Sequence, residues 1–485
     1  MSDNWRPKLG DRIFRPRRIK RFRLRRVLGI YAVFSAGYGN VGSSIYYALG
    51  IVALVAKGAT PIALGIAGVL FIFTALTYAE GTATFPEAGG SASFARHAFG
   101  DLAGFTAGWA LMLSYIVTIS ISAFTIPPYL GFFWEPFKNS SFIGTIASMG
   151  IVFFLMILNV IGIRETSFVN VGATILDILT QVSLVVIGFI LLFNPTVLVH
   201  RIVDNWPTTN NLIFGIALAS IAYTGIETMS QMAEETKKPE KSVPRALIMM
   251  IVAVLVIFAG ISLVSLSAMS PVELASEWAR DPVAGIAYYI PVELIRTILK
   301  PLIAVLAGTI LLIATNAGLI GISRLAFSLG SHGLVPPVLS RVHQRFKTPY
   351  MSVIIFSLIA ILILVPGFFT SNVFENMGAL YAVGSLLAFI FAHASVLALR
   401  VKKPEMPRPF KLGWNIRNKG HELPINAVIG LLATSAIWVI ILITQSYSRW
   451  VGLGWMAGGV ILFYFYQRNR HLSSTDNRGE WEKLI

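Results

Sequence analysis

Along most of the chain the apolar residues neither alternate with polar ones nor keep to one helical stripe; they run on for about twenty positions at a time. A bilayer core about 30 Å thick is crossed by a helix of roughly 20 such residues. Twelve stretches qualify, at residues 27–55, 61–83, 102–130, 142–163, 168–193, 211–231, 244–269, 297–329, 350–366, 376–399, 424–445 and 449–467. Membrane barrels need strands with a two-residue polarity period, and residues 151–158 and 251–259 show none. The pattern predicts an all-α, polytopic membrane protein with twelve transmembrane helices.

Two of these helices are interrupted by small residues. The first span contains Gly37-Tyr38-Gly39-Asn40-Val41-Gly42-Ser43-Ser44, and the sixth contains a small-residue stretch at 217–225. Unwinding a helix in lipid strands N–H and C=O groups at several kcal/mol each, so it survives only where a ligand, water or neighbouring protein satisfies them. Either break alone reads as close helix packing. Breaks five helices apart instead match a five-plus-five inverted repeat with a binding site near the midplane. Freed N–H groups at Gly42, Ser43 and Ser44 would form a half-helix N-terminus suited to a carboxylate. Freed carbonyls at Ile221, Ala222, Tyr223, Thr224 and Gly225 would suit an ammonium group or a metal cation, so the pair suits a zwitterion. The first break also matches the dinucleotide pattern G-x-G-x-x-G, but it lacks the preceding strand and βαβ unit that the pattern requires.

Charge adds orientation. The net charge of +16 suggests a nucleic-acid partner until its distribution is read. Lys and Arg gather in alternate loops: the arm at 6–26, Arg164, 237–245, 341–347, 400–419 and the tail from Arg468. The intervening loops are balanced or acidic, with Glu135 beside Lys138, and Glu273, Glu277, Arg280 and Asp281 together. Under the positive-inside rule both termini face the cytoplasm, and no nucleic acid is needed to explain the charge. The loops are too short for a soluble catalytic domain, leaving a basic arm (1–26), one transmembrane domain (27–467) and a tail (468–485). The arm reads as the flank of an uncleaved first helix, with anionic lipid as a further partner. The chain has no cysteine, which excludes disulfides and thiolate metal sites, and the sequon at Asn139 matters only in a glycosylating host.

Candidate chemistry is confined to polar residues inside the spans. An intramembrane carboxylate costs at least about 2.5 kcal/mol and faces a cavity or a partner; the candidates are Glu80, Asp177 and Glu227. Glu227 lies two residues past the second break and Asp177 sits mid-span beside Thr174, Thr180 and Gln181, so both are candidates for ion coupling. Glu80 lies near the basic end of the second span and suits a helix-end or gating contact. Ser114, Tyr115, Thr118 and Ser122 share one face of the third span, and Thr315-Asn316 is a polar step in the eighth. No metalloprotease, nucleophile-elbow or Walker motif occurs, so no enzyme and no cofactor are expected.

At these residues the chain resembles the amino acid–polyamine–organocation (APC) superfamily of permeases. The likeness runs through Gly42-Ser43-Ser44-Ile45, then Thr77-Tyr78-Ala79-Glu80 with Pro86-Glu87-Ala88-Gly89-Gly90-Ser91 and Ala98-Phe99-Gly100. It continues in Gly225-Ile226-Glu227, Glu234-Glu235-Thr236-Lys237-Lys238-Pro239, Val243-Pro244-Arg245, Asn316-Ala317, Ser323-Arg324 and Gly333-Leu334-Val335-Pro336. The resemblance implies a secondary transporter with an amino acid carboxylate at the first break, its amine at carbonyls near Ile221 and Thr224, and protons as the coupling ion, with Na+ or K+ as alternatives. Cationic-amino-acid-transporter-like members place a Lys in the fifth helix where Asp177 falls, so a lysine switch is not implied. KimA-type potassium importers are similar at Tyr47, Thr118, Ser122, Thr224 and Glu227, but Asn40 and Ser114 stand where their acids lie. Amino acid uptake is therefore expected ahead of potassium uptake or amino acid/polyamine exchange, with Asn316 as a further ion-coupling candidate.

Overall fold

A computed structural model describes residues 26–162, 167–346, 348–370, 372–418 and 421–482. Most of the basic arm, Arg164, Lys347 and Lys419 lie outside the described residues. The main helices are α1 (Ile30–Val41), α2 (Ile45–Ala56), α3 (Thr60–Thr84), α4 (Ser91–Phe99), α5 (Asp101–Leu130), α6 (Ser141–Ile161), α7 (Ser167–Leu191), α8 (Thr209–Ala219), α9 (Glu227–Gln231), α10 (Pro239–Ala268), α11 (Glu293–Ser331), α12 (Tyr350–Leu364), α13 (Val373–Lys402), α14 (Ile425–Thr444) and α15 (Ser446–Glu482). The protein is an all-α, multi-pass membrane protein.

Among the described residues ten helical stretches are long and apolar enough to cross a bilayer, against the twelve expected. One difference is a matter of joining: Ile30–Thr84 is a single 55-residue stretch that holds the first two expected spans. As a straight rod it would reach about 80 Å. Instead Lys57, at φ 47°, ends α2, and the next residue, Gly58, lies so close to the Arg201 carbonyl that an added Cβ would stand 2.5 Å from it. The other difference is the last expected span, which falls inside α15 but is diluted by Gly452, Gly454, Gly458 and Gly459.

Helix α5 is the axle of the bundle. Its apolar core is wholly buried, and α4, α6, α11, α12, α13 and α15 pack on it. Small residues let backbones touch: a Cβ at Gly384 of α13 would stand 2.8 Å from the Ala110 carbonyl and the Ser114 N–H of α5. Helix α15 is fastened to α5 by two indoles. Trp109 donates to the Trp455 carbonyl (2.8 Å), Trp455 donates to the Trp109 carbonyl (2.9 Å), and the rings stack at 4.7 Å.

Two features fall outside the predicted spans, both on the face that carries the basic loops. Strand β1 (Asn415–Asn418) pairs antiparallel with β2 (His421–Pro424) in the loop after α13. Between α3 and α5, α4 follows a turn at Gly90, whose φ of 54° favours glycine. In that turn Glu87 accepts from Ser93 (2.6 Å) and contacts His97 (3.3 Å) and Arg96 (3.6 Å). The His97 hydrogen bond, followed by Ser93 and the nearby charges, holds the Glu87 carboxyl down at about 2, below its ordinary 4.5. A carboxyl depressed by folding stabilises the fold fully above pH 4.5 and loses that contribution as pH falls through 2. Accordingly, Glu87→Gln is expected to lower the thermal midpoint at pH 7, and its gap from the parent protein is expected to close as the scans move from pH 5 to pH 2.

Candidate functional site

The two predicted breaks meet in the bundle, but they differ in kind. In the sixth span Ser220–Tyr223 tightens to a 3-10 turn, Thr224 is extended (φ −82°, ψ 157°) and Gly225 takes φ 111°. An added Cβ on Gly225 would stand 2.8 Å from Asn40 Cγ, so the first span's side chain fills the space that glycine leaves. In the first span the expected unwinding is absent. Val41, Gly42, Ser44 and Ile45 keep right-handed helical dihedrals, and Gly42–Ser44 is one 3-10 turn. The Gly42 N–H donates to the Tyr38 carbonyl, while the Ser43 and Ser44 hydroxyls donate to the Asn40 carbonyl (3.0 and 3.3 Å). Serine hydroxyls back-bonding one turn down keep this segment helical. The open row of N–H groups expected at Gly42, Ser43 and Ser44 is therefore corrected to a tightened helix.

The carbonyl expectation is corrected at Ile221. Ile221 C=O accepts both the N–H (3.2 Å) and the hydroxyl (2.8 Å) of Thr224, which engages both of its lone pairs. Tyr223 turns outward: it donates to the Leu64 carbonyl (2.8 Å) and its ring lies on Phe71 and Phe258, bracing the sixth span against α3 and α10. Ala222 is buried without a polar side chain.

What the breaks surround is a group of buried polar atoms without partners. Glu227 is fully buried; its Oε2 accepts the Gly225 N–H (3.0 Å) and its Oε1 has no hydrogen-bond partner. Asn40 donates to Thr228 (2.9 Å) and its Oδ1 is unpartnered. The hydroxyls of Tyr115 and Tyr381, on both of which the Glu227 charge acts, are buried and unpartnered, as are those of Ser114 and Ser122. Tyr381 also neighbours Tyr47, Thr118 and Thr224. Tyr47 and Ser44 share a hydrogen bond (2.9 Å), and Thr118 donates to the Ser114 carbonyl (2.9 Å). More than nine in ten buried polar groups are normally paired, so a concentration of exceptions around one carboxylate marks a place shaped for a polar ligand. No Lys, Arg or His among the described residues forms an ion pair with Glu227.

The other predicted residues occupy separate positions. Asp177 is buried in α7, where it accepts from Tyr46 (2.7 Å) and Gln181 (2.7 Å), and one turn away Thr174 bonds Ser35 (2.8 Å). It ties the fifth helix to both sides of the first-span turn. Asn316 accepts from Asn159 (2.6 Å), joining α11 to α6. Glu80 is remote from the breaks. It sits in the α3–α13 seam, where Arg400 grips both of its oxygens (2.7 and 2.6 Å), the Leu412 N–H donates to it (2.7 Å) and Arg408 stands at 3.6 Å. Two small clefts also lie away from Glu227, one beside Glu80, Phe94 and Arg408, the other beside Phe124, Thr145 and Arg280. Tyr381 and Gln231, whose buried amide is unpartnered at both ends, went unread as site residues. The available signal was a phenol or amide in an otherwise apolar run, since each carries a polar tip that burial obliges to find a partner.

A family model described as amino acid permease matches residues 28–466. The chain is similar to the branched-chain amino acid permease BcaP of Bacillus subtilis (strain 168), at 26% identity over 92% of this chain and 94% of that protein. It is similar to the methylthioribose transporter of the same organism, at 27% identity over 93% and 95% of the two chains. To the glutamate/serine transporter AimA of that organism it is 25% identical, over 91% and 86%.

Proposed function

Because the chain belongs to the amino acid permease family within the APC superfamily, and is a transporter and not an enzyme, we propose that it carries amino acids into the cell by proton-coupled symport and alternating access. The observation that carries this reading is Glu227, a fully buried carboxylate with one oxygen on the broken helix and the other unpartnered. An uncompensated anion in that setting is expensive. Its charge is balanced by something that arrives and leaves, either a proton or the ammonium group of a substrate. Either one links occupancy of the site to the state of the Gly225 turn, which is what alternating access needs.

The substrate is bound between the first and sixth spans, against Asn40, Gly42, Ser44, Tyr47, Thr118, Ser122, Thr224, Gly225 and Tyr381. Asp177 acts as the second coupling group, through Tyr46. The relatives are named for branched-chain amino acids, for glutamate and serine and for methylthioribose, so the family does not assign one side chain, and the α-amino acid core is the shared feature proposed here. The face with the basic loops is cytoplasmic, with both termini on that side of the cell membrane.

Reconstituted into liposomes, the protein is expected to accumulate labelled amino acids under an inward proton gradient and to stop when the gradient is collapsed. Uptake of potassium alone, with no amino acid moved, would overturn this reading in favour of an inorganic cation importer. Exchange that ignores the gradient would make it an antiporter.

A further inference from the structure

The hairpin after α13 carries an exposed apolar pair: Trp414 is 73% exposed and Ile416 55% exposed. The backbone that carries them is nonetheless pinned on both sides. The N–H of buried Leu412 donates to Glu80 (2.7 Å), and the Trp414 carbonyl accepts from the N–H of Ile425 (2.9 Å), the first residue of α14. Because α14 is long and apolar enough to cross a bilayer, Trp414 is fixed where a span begins, at the level of the lipid headgroups. An indole, apolar in body and polar at one edge, favours that level. Successive strand residues face opposite ways, so β1 has a charged face, with Arg417 opposite Glu422, and an apolar face, with Ile416 opposite Leu423.

Beside this edge the charges do not balance. Residues 400–424 carry seven Lys and Arg against two Glu. Arg400 and Arg408 meet on Glu80, while Arg400 (3.7 Å), Arg417 (3.2 Å) and Lys411 meet on Glu422. Four cations thus share two carboxylates, which leaves two positive charges over. The Arg400 and Arg408 side chains are shielded, so the accessible excess lies on Lys411 and Arg417, 48% and 83% exposed. Arg417 reaches Glu422 through Nε alone, and its two terminal nitrogens have no partner among the described residues. The positive-inside rule accounts for basic residues in this loop but not for an exposed Trp and Ile fixed beside them.

We propose that the β1–β2 hairpin lies in the headgroup layer on the side of the basic loops, with Trp414 and Ile416 entering the interface while Lys411 and Arg417 hold the phosphate of an anionic phospholipid. Glu422 neutralises one of these two cations, and the lipid supplies the second anion. A guanidinium suits the task because its planar donors match phosphate oxygens. Apolar contact and charge act together here, the same pair of forces that lays an amphipathic helix in an interface. The site is independent of what the protein carries and of the ion that drives it.

The chain has no cysteine, so Gly413→Cys places a single thiol next to Trp414, where an added Cβ meets nothing within 4 Å. The full chain, labelled there with a fluorophore, is reconstituted in vesicles of phosphatidylcholine and phosphatidylglycerol in equal parts, with bromine high on the acyl chains of one lipid or of the other. Membrane composition is then constant and only the identity of the quencher changes. Quenching by brominated phosphatidylglycerol is expected to be at least twofold stronger than quenching by brominated phosphatidylcholine. Adding Lys411→Gln and Arg417→Gln is expected to bring that ratio to about one, while Trp414 and Ile416 keep the label within reach of lipid. Equal quenching by the two lipids in the labelled parent overturns the site, as does a preference that survives both charge changes. Quenching by aqueous iodide with none by either lipid also overturns it, by placing the hairpin in water.

Discussion

Glu227→Gln is expected to abolish proton-driven accumulation while leaving the bundle folded. Glutamine has nearly the same shape, and its amide oxygen can accept the Gly225 N–H that Glu227 Oε2 accepts at 3.0 Å. The turn at Gly225 and its contact with Asn40 therefore persist. What goes is the exchangeable proton. For one-to-one coupling, a gradient of one pH unit stores about 1.4 kcal/mol and supports about a tenfold concentration ratio. The variant should hold the inside and outside concentrations nearly equal at every gradient, whereas the parent's ratio should climb about tenfold per unit. Retention of the parent's slope in Glu227→Gln would move the coupling role to Asp177, the second proposed coupling group.

Breaking the Glu80–Arg400 seam should produce the largest loss of stability of any single change away from the site. Both side chains are 2% exposed and meet through two hydrogen bonds. Removing one partner of such a pair leaves a buried charge uncompensated and costs about 3–5 kcal/mol, whereas exchanging both for apolar residues of similar size is often close to neutral. Glu80→Leu and Arg400→Leu should each lower the thermal midpoint in detergent sharply, and the double variant should regain most of the loss. Full recovery is not expected, because the Leu412 N–H and Arg408 also address Glu80 and stay behind. Additive losses, with the double variant's midpoint falling by the sum of the two single shifts, would show that the pair is not coupled.

How far the sequence exposed these features depended on the range of the interaction. Helices follow from local apolar runs, and the described stretches long and apolar enough to cross a bilayer fall on the predicted spans, apart from the joining at Lys57 and the glycine dilution of α15. The break at Gly225 was readable because an extended Thr224 and a positive φ need glycine at that place. The break at Gly42 was over-read: the same small residues that permit unwinding also let Ser43 and Ser44 bond back to Asn40. Glu80 looked like a helix end because its partner stands 320 residues away, beyond any local pattern. Tyr115 is legible as part of the polar face of the third span, whereas the unpartnered phenols of Tyr78 and Tyr381 carry no local signal that sets them apart from other tyrosines in apolar runs. That each is buried with an unpartnered hydroxyl emerges only from the packed bundle.

The indole clasp between α5 and α15 constrains how the protein is made. Trp109 and Trp455 are separated by 346 residues, and each closes its N–H on the other's carbonyl. At a synthesis rate of roughly 5–20 residues per second, the third span waits about 20–70 s for its clasp partner to leave the ribosome. Throughout that interval the axle of the bundle stands in the bilayer with the Trp109 N–H and carbonyl lacking their final partners. The last helix thus completes assembly by sealing a helix made long before it, and a chain stalled before Trp455 would be left unsealed there.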